Sequence, residues 1–349
     1  LLHRKCSLKL GRGLSPEKIW YKALTSLEAY NSHSRLVETK FITELFKIFH
    51  NKEVTSANVH KDFVEIYKPL LTSPDPVQQK TLSDFIASWR KYADIFGFYE
   101  SPDRSNHYGG EGNKMCPQKA GGGLDKINYS GYSTITRSII CASIERFKTR
   151  KNGYTAAELH TIIDLCEKFT FRVYGIIGKR TNTYQKQILE AAHNIFIKKK
   201  KASYVIKQLV DWTNALAPMK LVLQTLGNRD PKYPNADVTG WNSCYYFLYE
   251  YELGNSSTGS SGAVFQWGEN SSEQKDQMEH ILVQSYKTNS WWKTHWGNDE
   301  KCEKYVHRLG NLVLTSNNQT LGDKSFIDKL GQTTQPDHCY SHRNATNTE

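Results

Sequence analysis

Cysteines at metal-binding spacing are missing from this sequence. The seven cysteines are odd in number, lie far apart and include no Cys-x-x-Cys pair. Neither a zinc ribbon nor a disulfide framework is indicated, because each needs cysteines paired at defined spacings. Scattered single thiols are typical of a protein kept in a reducing compartment, so we expect a cytoplasmic protein.

Long apolar runs are also missing. No stretch approaches the roughly 20 apolar residues of a membrane-spanning helix, and no signal peptide opens the chain. The sequence therefore predicts no contact with a membrane. The glycine patterns of phosphate-cradling loops, G-x-x-x-x-G-K-[ST] and G-x-G-x-x-G after a strand, are absent too. Leu1 stands where a start Met is expected, and we expect a further N-terminal part in the natural protein.

Acidic residues are too few to balance the basic ones. The 349 residues carry 46 Lys and Arg against 35 Asp and Glu, a formal net charge of +11. Such a balance favours encounter with a polyanion, although charge alone does not identify one. Length and aromatic content are sufficient for a folded chain of two or three domains.

Apolar residues at helical spacing fill most of the chain. Ser15 and Pro16 supply a cap and a first-turn proline, and residues 155–158 form a capping box. Apolar periodicity predicts further helices at 35–50, 62–71, 81–98, 130–148, 155–177, 188–196, 204–212 and 217–226.

Three other stretches interrupt or end this helical region. Residues 101–123 are rich in Gly and Asn, which predicts a long surface loop that can divide the region into two sub-bundles. An aromatic stripe at 241–251 favours a core helix over a base-stacking surface. Residues 254–262 are rich in Ser and Gly and predict a linker. We therefore predict a helical domain over 1–253 and a second domain over 263–349.

A run of four lysines ends one predicted helix. Cations near a helix C-terminus interact favourably with its dipole, so a solvated helix end is one interpretation. The other is a weak, sequence-independent contact with nucleic-acid phosphates. The four residues are Lys198, Lys199, Lys200 and Lys201.

The second predicted domain carries residues suited to phosphodiester hydrolysis. His280 can take a proton from water near neutral pH. Mg²⁺ or Mn²⁺ prefers oxygen ligands and keeps several waters, so the carboxylate of Glu279 and the amide oxygen of Asn318 would suffice if a phosphate completes the shell. Glu279 could instead be a solvated carboxylate and His280 an ordinary histidine.

Local pattern predicts how these residues meet. Residues 281–283 and 312–315 are apolar and β-branched, which predicts two strands, and residues 323–330 have helical spacing. Asp323 would cap that helix. Two strands and a helix form the simplest fold that could gather these residues around a metal ion. We therefore predict a mainly α-helical region followed by a small α+β domain of the ββα-metal type.

The order of these motifs resembles the HNH nuclease domain that closes the GmrSD-type, modification-dependent restriction endonucleases. The resemblance rests on Glu-His-Ile at 279–281, His-Arg-Leu-Gly-Asn-Leu at 307–312 and Leu-Thr-x-x-Asn-x-x-Leu-Gly-x-Lys-x-Phe at 314–326. A weaker likeness extends to residues 180–196. Val283 replaces an expected Pro, and Asp323 replaces an expected Asn, so Asp323 is either structural or a further metal ligand.

The resemblance implies particular roles for these residues. His280 would be the general base, Glu279 and Asn318 the metal ligands, and Asn311 a support for the strand or ring of His280. His307 and Arg308 are secondary candidates, for packing or phosphate contact.

The implied function is an endonuclease of a prokaryotic restriction system that cuts modified phage DNA. A nucleotide-hydrolysing sensor is expected from another subunit or from the missing part of the chain. The alternative is a non-catalytic basic module that binds nucleic acid or a protein partner and carries a degenerate nuclease motif.

Overall fold

The computed structural model describes residues 15–30, 35–70, 73–101, 104–109, 115–149, 151–228, 241, 243–255, 277–297, 299–315 and 321–331. Internal contacts divide the chain into two units, Leu1–Met219 (unit 1) and Lys220–Glu349 (unit 2). The predicted linker at 254–262 lies mostly outside the described residues, and a domain boundary there stays a prediction. None of the described helices is long and apolar enough to cross a membrane.

Unit 1 is helical throughout its described part. Its helices are α1 (Pro16–Glu28), α2 (Arg35–His50), α3 (Val59–Leu70), α4 (Pro76–Glu100), α5 (Gln118–Tyr129), α6 (Arg137–Phe147), α7 (Ala156–Thr170), α8 (Gln185–Phe196) and α9 (Ala202–Leu216), with α10 (Met219–Asn228) beginning at the division. A π-helix, Phe171–Ile176, continues α7. The predicted helices are confirmed, apart from their ends and the two corrections below.

Capping and aromatic packing explain this arrangement. The Ser15 hydroxyl caps α1, the Asp75 carboxylate caps α4, and the capping box of Thr155 and Glu158 opens α7. The 25-residue helix α4 is the centre of the unit and packs against α1, α2 and α6. Its buried Phe85 and Trp89 meet aromatic rings from its neighbours edge-on.

The loop predicted at 101–123 is wrong in its second half, where α5 includes all three consecutive glycines. A Cβ at Gly121 would lie 2.5 Å from the ring of Tyr108, and one at Gly123 would lie 2.8 Å from Ile163. Glycine is needed here for close packing of a helix, and tertiary contacts outweigh its low helix propensity. The helix predicted at 130–148 begins at Arg137, after turns at 130–136.

Unit 2 combines short helices with one hairpin. Its described elements are α11 (Cys244–Asn255), β1 (Gln277–His280), α12 (Ser290–Trp296), α13 (Asp299–Tyr305), β2 (Leu312–Thr315) and α14 (Phe326–Lys329). Strands β1 and β2 are antiparallel, with Glu279 opposite Val313 and His280 opposite Leu312. A small apolar core consists of Leu282, Val283, Tyr286, Trp292, Cys302 and Val306.

Two local predictions in unit 2 are corrected. The first strand is 277–280 and not 281–283, because the backbone N–H groups of Ile281 and Leu282 donate to the backbone and side-chain oxygens of Asn311. The helix predicted at 323–330 begins at Phe326, and its cap is Ser325, not Asp323. Strand β2 is confirmed as predicted.

Candidate active site

The end of β1 places a carboxylate beside an imidazole. Glu279 and His280 are its last two residues, and each side chain is almost fully buried, at 5% exposure. Adjacent residues of a strand point to opposite faces, so the two side chains meet different neighbours. The Glu279 carboxylate and the His280 ring therefore lie on opposite faces of the hairpin.

Glu279 forms an ion pair with a lysine that has no exposed surface. Nζ of Lys329, in the last turn of α14, donates to Oε1 of Glu279 at 2.5 Å and to the carbonyl oxygen of His280 at 2.9 Å. A weaker contact reaches the carbonyl of Ile281 at 3.4 Å. Lys329 therefore ties α14 to the carboxylate and backbone at the end of β1.

Burial works against both charges of this pair. It raises the pKa of the Glu279 carboxyl, although the ammonium of Lys329 opposes the rise. It lowers the pKa of Lys329, against the attraction of the Glu279 carboxylate. Each partner offsets part of the cost of burying the other, so removing one leaves an uncompensated group in a dry environment.

On the other side of β1, His280 lies between two polar side chains. Its Nε2 is 3.3 Å from Nδ1 of His307, and its Nδ1 is 3.2 Å from the side-chain nitrogen of Gln284. Burial, followed by the charges of His307 and Lys329, lowers the pKa of His280 to about 4. The ring is therefore neutral at pH 7, the form in which an imidazole can accept a proton.

Asn311 holds the chain directly after His280. Its side-chain oxygen accepts the N–H of Leu282 at 2.7 Å, and its Nδ2 donates to the carbonyls of Leu282 at 3.0 Å and Val306 at 2.8 Å. These bonds join the turn after β1 to the turn before β2. They contact backbone and not the imidazole, which supports the first of the two roles considered for Asn311.

The other sequence candidates are placed differently. Arg308 donates to the carbonyl of Lys304 at 3.2 Å on the rim of the unit. Asp323 is exposed, and its backbone carbonyl, not its carboxylate, accepts from Asn289. Asn318 lies outside the described residues. Lys198 to Lys201 belong to unit 1.

The described residues do not by themselves form a metal site. Within the described ranges, no group of three or more His, Cys, Asp or Glu is placed to hold a metal ion. The carboxylate of Glu279 is committed to Lys329, so it is not presented as an open oxygen ligand. As the pair stands, these donors do not fit a hard divalent cation, which needs several oxygen ligands.

Two residues of the site, Lys329 and Gln284, were not predicted from the sequence. Lys329 stands with Phe326 and Leu330 at i, i+3 and i+4 spacing, so a lysine within a short apolar pattern was the available signal. Gln284 follows His280 by four residues, across the strand predicted at 281–283, and an extended chain there would hold the two side chains apart. The turn after β1 brings their side chains together.

A comparison with known protein families matches the region that contains this site. Residues 235–348 match the model described as GmrSD restriction endonucleases, C-terminal domain. A search of curated proteins found no match. The matched range contains the hairpin and all the site residues of unit 2 described above.

Proposed function

Because residues 235–348 are a GmrSD-type C-terminal region, we propose that unit 2 is the nuclease of a restriction endonuclease and hydrolyses DNA phosphodiesters by HNH chemistry. The observation that carries this proposal is the neutral, polar-flanked His280 at the end of a hairpin. A carboxylate beside it, an asparagine that fixes the following turn and a helix after β2 complete the arrangement.

In the proposed reaction, His280 accepts a proton from the water that attacks phosphorus. As the new P–O bond forms, the P–O bond to the leaving sugar oxygen breaks, and that oxygen takes a proton from solvent water. A neutral imidazole carries one N–H and one lone pair, so one ring nitrogen must be the acceptor. The amide nitrogen of Gln284 faces Nδ1 at 3.2 Å. The base function requires the amide turned by 180°, so that its oxygen accepts the Nδ1 proton and leaves Nε2 as the base. Gln284 is then a positioning residue, in the role that a carboxylate or carbonyl often has beside a catalytic histidine.

His307 is the solvent-side member of the histidine pair. It is half-buried, whereas His280 is almost fully buried, and their facing nitrogens are 3.3 Å apart. We propose that His307 contacts the phosphate or the attacking water. As a hydrogen-bond donor it would stabilise the negative charge that develops there.

A divalent cation, Mg²⁺ or Mn²⁺, stays a prediction. When bound, such a cation would stabilise charge on the phosphoryl oxygens. Its predicted ligands are Glu279 and Asn318, and Glu279 would first have to be released by Lys329.

Further parts of the proposal follow from the family alone. The substrate is proposed to be modified foreign DNA, cut in the cytoplasm of a prokaryotic cell as antiviral defence. A nucleotide-hydrolysing sensor domain or subunit is proposed to control the cut.

The rival function is a binding module with an inactive site. The pairing of Glu279 with Lys329 favours it, because that pair removes the carboxylate expected to hold the metal. A module of this kind would bind DNA in a salt-dependent manner and would be indifferent to divalent cations.

Cleavage of supercoiled plasmid separates the two functions. The full chain is incubated with modified and unmodified plasmid in chelator, in Mg²⁺ and in Mn²⁺. Nicking or linearisation that requires a cation is the expected result. Binding of both plasmids without cleavage under every condition would contradict the enzyme and support the module.

A further inference from the structure

The excess positive charge of the chain lies entirely in unit 1. Residues 1–219 contain 34 Lys and Arg and 20 Asp and Glu, a formal net charge of +14, whereas residues 220–349 contain 12 and 15, a net charge of −3. The unit with the candidate active site is therefore slightly acidic. A polyanionic substrate would be repelled by that balance unless unit 1 supplies the countercharge.

Part of this charge is concentrated around one buried carboxylate of unit 1. Glu145, at 5% exposure, accepts from Lys91 of α4 at 2.7 Å and from Lys199 at 3.3 Å. Both lysine side chains remain about half exposed. Two ammonium groups therefore offset a single carboxylate, and the local balance is positive.

The turn between α8 and α9 adds further cations to this place. Lys198 to Lys201 are all exposed, and the hydroxyl of Tyr154 donates to the carbonyl of Lys200 at 2.9 Å, which fixes the turn beside α6. Arg146, the residue after Glu145, lies over the ring of the same Tyr154. We call the group Lys91 and Lys198 to Lys201 the lysine surface.

Lys199 has a backbone conformation that is unfavourable for a residue other than glycine. Lys199 has a φ of +53°, in the left-handed region that glycine adopts most readily after a helix. A lysine there costs about 1 kcal/mol relative to glycine. Its ammonium lies near Glu145 and 5.1 Å from the ring centre of Phe196, so the turn has a defined shape.

We propose that the lysine surface of unit 1 binds the phosphate backbone of the duplex DNA that unit 2 is proposed to cut. The inference rests on the proposed nuclease function for its choice of DNA. Lysines on a fixed turn neutralise phosphates as point charges and carry no sequence information. Binding here is therefore independent of base sequence and strongly salt-dependent.

The test compares two triple variants of the full chain with the same net charge. The surface variant is Lys198→Gln, Lys200→Gln and Lys201→Gln, which leaves the Glu145 contacts in place. The control variant is Lys80→Gln, Lys168→Gln and Lys207→Gln. Each control lysine is exposed and pairs with an aspartate one helical turn away, so its loss costs little stability.

Binding to a labelled 20-base-pair duplex is measured by fluorescence anisotropy in chelator over a range of salt concentrations. We expect the surface variant to lose about tenfold or more in affinity near 0.1 M salt. The slope of log affinity against log salt should fall by about 2 to 3, since each phosphate contact contributes about 0.9. We expect the control variant to stay within about threefold of the wild type.

Equal losses in both variants would overturn the proposal in favour of general charge, and so would no loss in either. Duplex RNA bound more tightly than DNA, with the same dependence on the three lysines, would overturn the choice of DNA. Plasmid cleavage is followed separately. Surface-dependent binding without cleavage would contradict only the nuclease, and cleavage with unchanged binding by the surface variant would contradict only this inference.

Discussion

Lys329 shows how one buried charge can organise a small site. Its ammonium has no exposed surface and joins the Glu279 carboxylate to the backbone of His280 and Ile281. A buried pair of this kind adds little net stability compared with apolar residues, but breaking it is costly. We infer that the pair fixes the position of β1, and with it the ring of His280.

Replacing Lys329 with methionine should destabilise the hairpin. The Glu279 carboxylate would then be buried without its partner, at a cost of about 3 to 5 kcal/mol. Hydrogen exchange of a peptide containing residues 277–283, followed as a function of urea, measures the change locally. The double variant Lys329→Met and Glu279→Gln should recover a large part of the loss. A double variant as unstable as the sum of the two single ones would contradict the ion pair.

The ring of His50 should make the stability of unit 1 depend on pH. The ring of His50 lies against Phe46, Phe49 and Phe85, and its Nε2 is 2.5 Å from the hydroxyl of Tyr67. Burial, followed by the charges of His193 and Lys52, lowers the pKa of His50 from 6.5 to about 4. The unfolded chain therefore binds more protons than the folded chain between these two values.

Stability of unit 1 should accordingly fall as the pH falls from about 6.5 to about 4. Thermal unfolding followed by circular dichroism at 222 nm measures it. His50→Gln should flatten this part of the profile, whereas His60→Gln, at an exposed position of α3, should leave its slope unchanged. A slope as steep in His50→Gln as in the wild type would contradict the assignment to His50.

At the residue scale, adjacency in sequence made part of the site predictable. Glu279 and His280 are neighbours in the chain, and a carboxylate next to an imidazole already suggests hydrolytic chemistry. Lys329 is 50 residues away from Glu279, and helical spacing could suggest its burial but not its partner. Gln284 depended on a turn that begins at Ile281, which the apolar run at 281–283 concealed.

At the scale of elements, α5 shows where composition misleads. Three consecutive glycines predicted a loop, because glycine loses more backbone entropy in a helix than any other residue. The structure places all three in a helix and two of them in close contacts, Gly121 against Tyr108 and Gly123 against Ile163. Helices with strong caps and apolar periodicity, such as α1 and α7, were predictable because local and tertiary preferences agree there.

Two neighbouring glycines of α5 should therefore respond in opposite ways to alanine. Gly121→Ala should destabilise unit 1 by about 1 to 3 kcal/mol, because its methyl group would overlap the Tyr108 ring. Gly122→Ala has open space around its Cβ and should stabilise the helix by about 0.5 to 1 kcal/mol. Urea unfolding followed at 222 nm measures both. The same sign of change in the two variants would contradict this packing.

At the scale of the whole molecule, the excess positive charge and the candidate active site lie in different units. The family match covers the end of the chain, whereas the basic excess lies before it. Total charge in the sequence predicted a polyanionic partner, but it could not say which part would bind one. That required the division at Met219 and the contacts that gather lysines around Glu145.

The most direct test of the account is the cleavage rate of His280→Ala compared with His295→Ala. His295 is an exposed histidine of the same unit, stacked on Trp291, and is the matched control. Rates are measured on supercoiled plasmid with the chain in excess over DNA. His280→Ala lacks the base, so its cleavage rate should be lower than that of the wild type by about 10² to 10⁴-fold. His295→Ala should cleave at a rate near that of the wild type. Cleavage by His280→Ala at the wild-type rate would contradict the account.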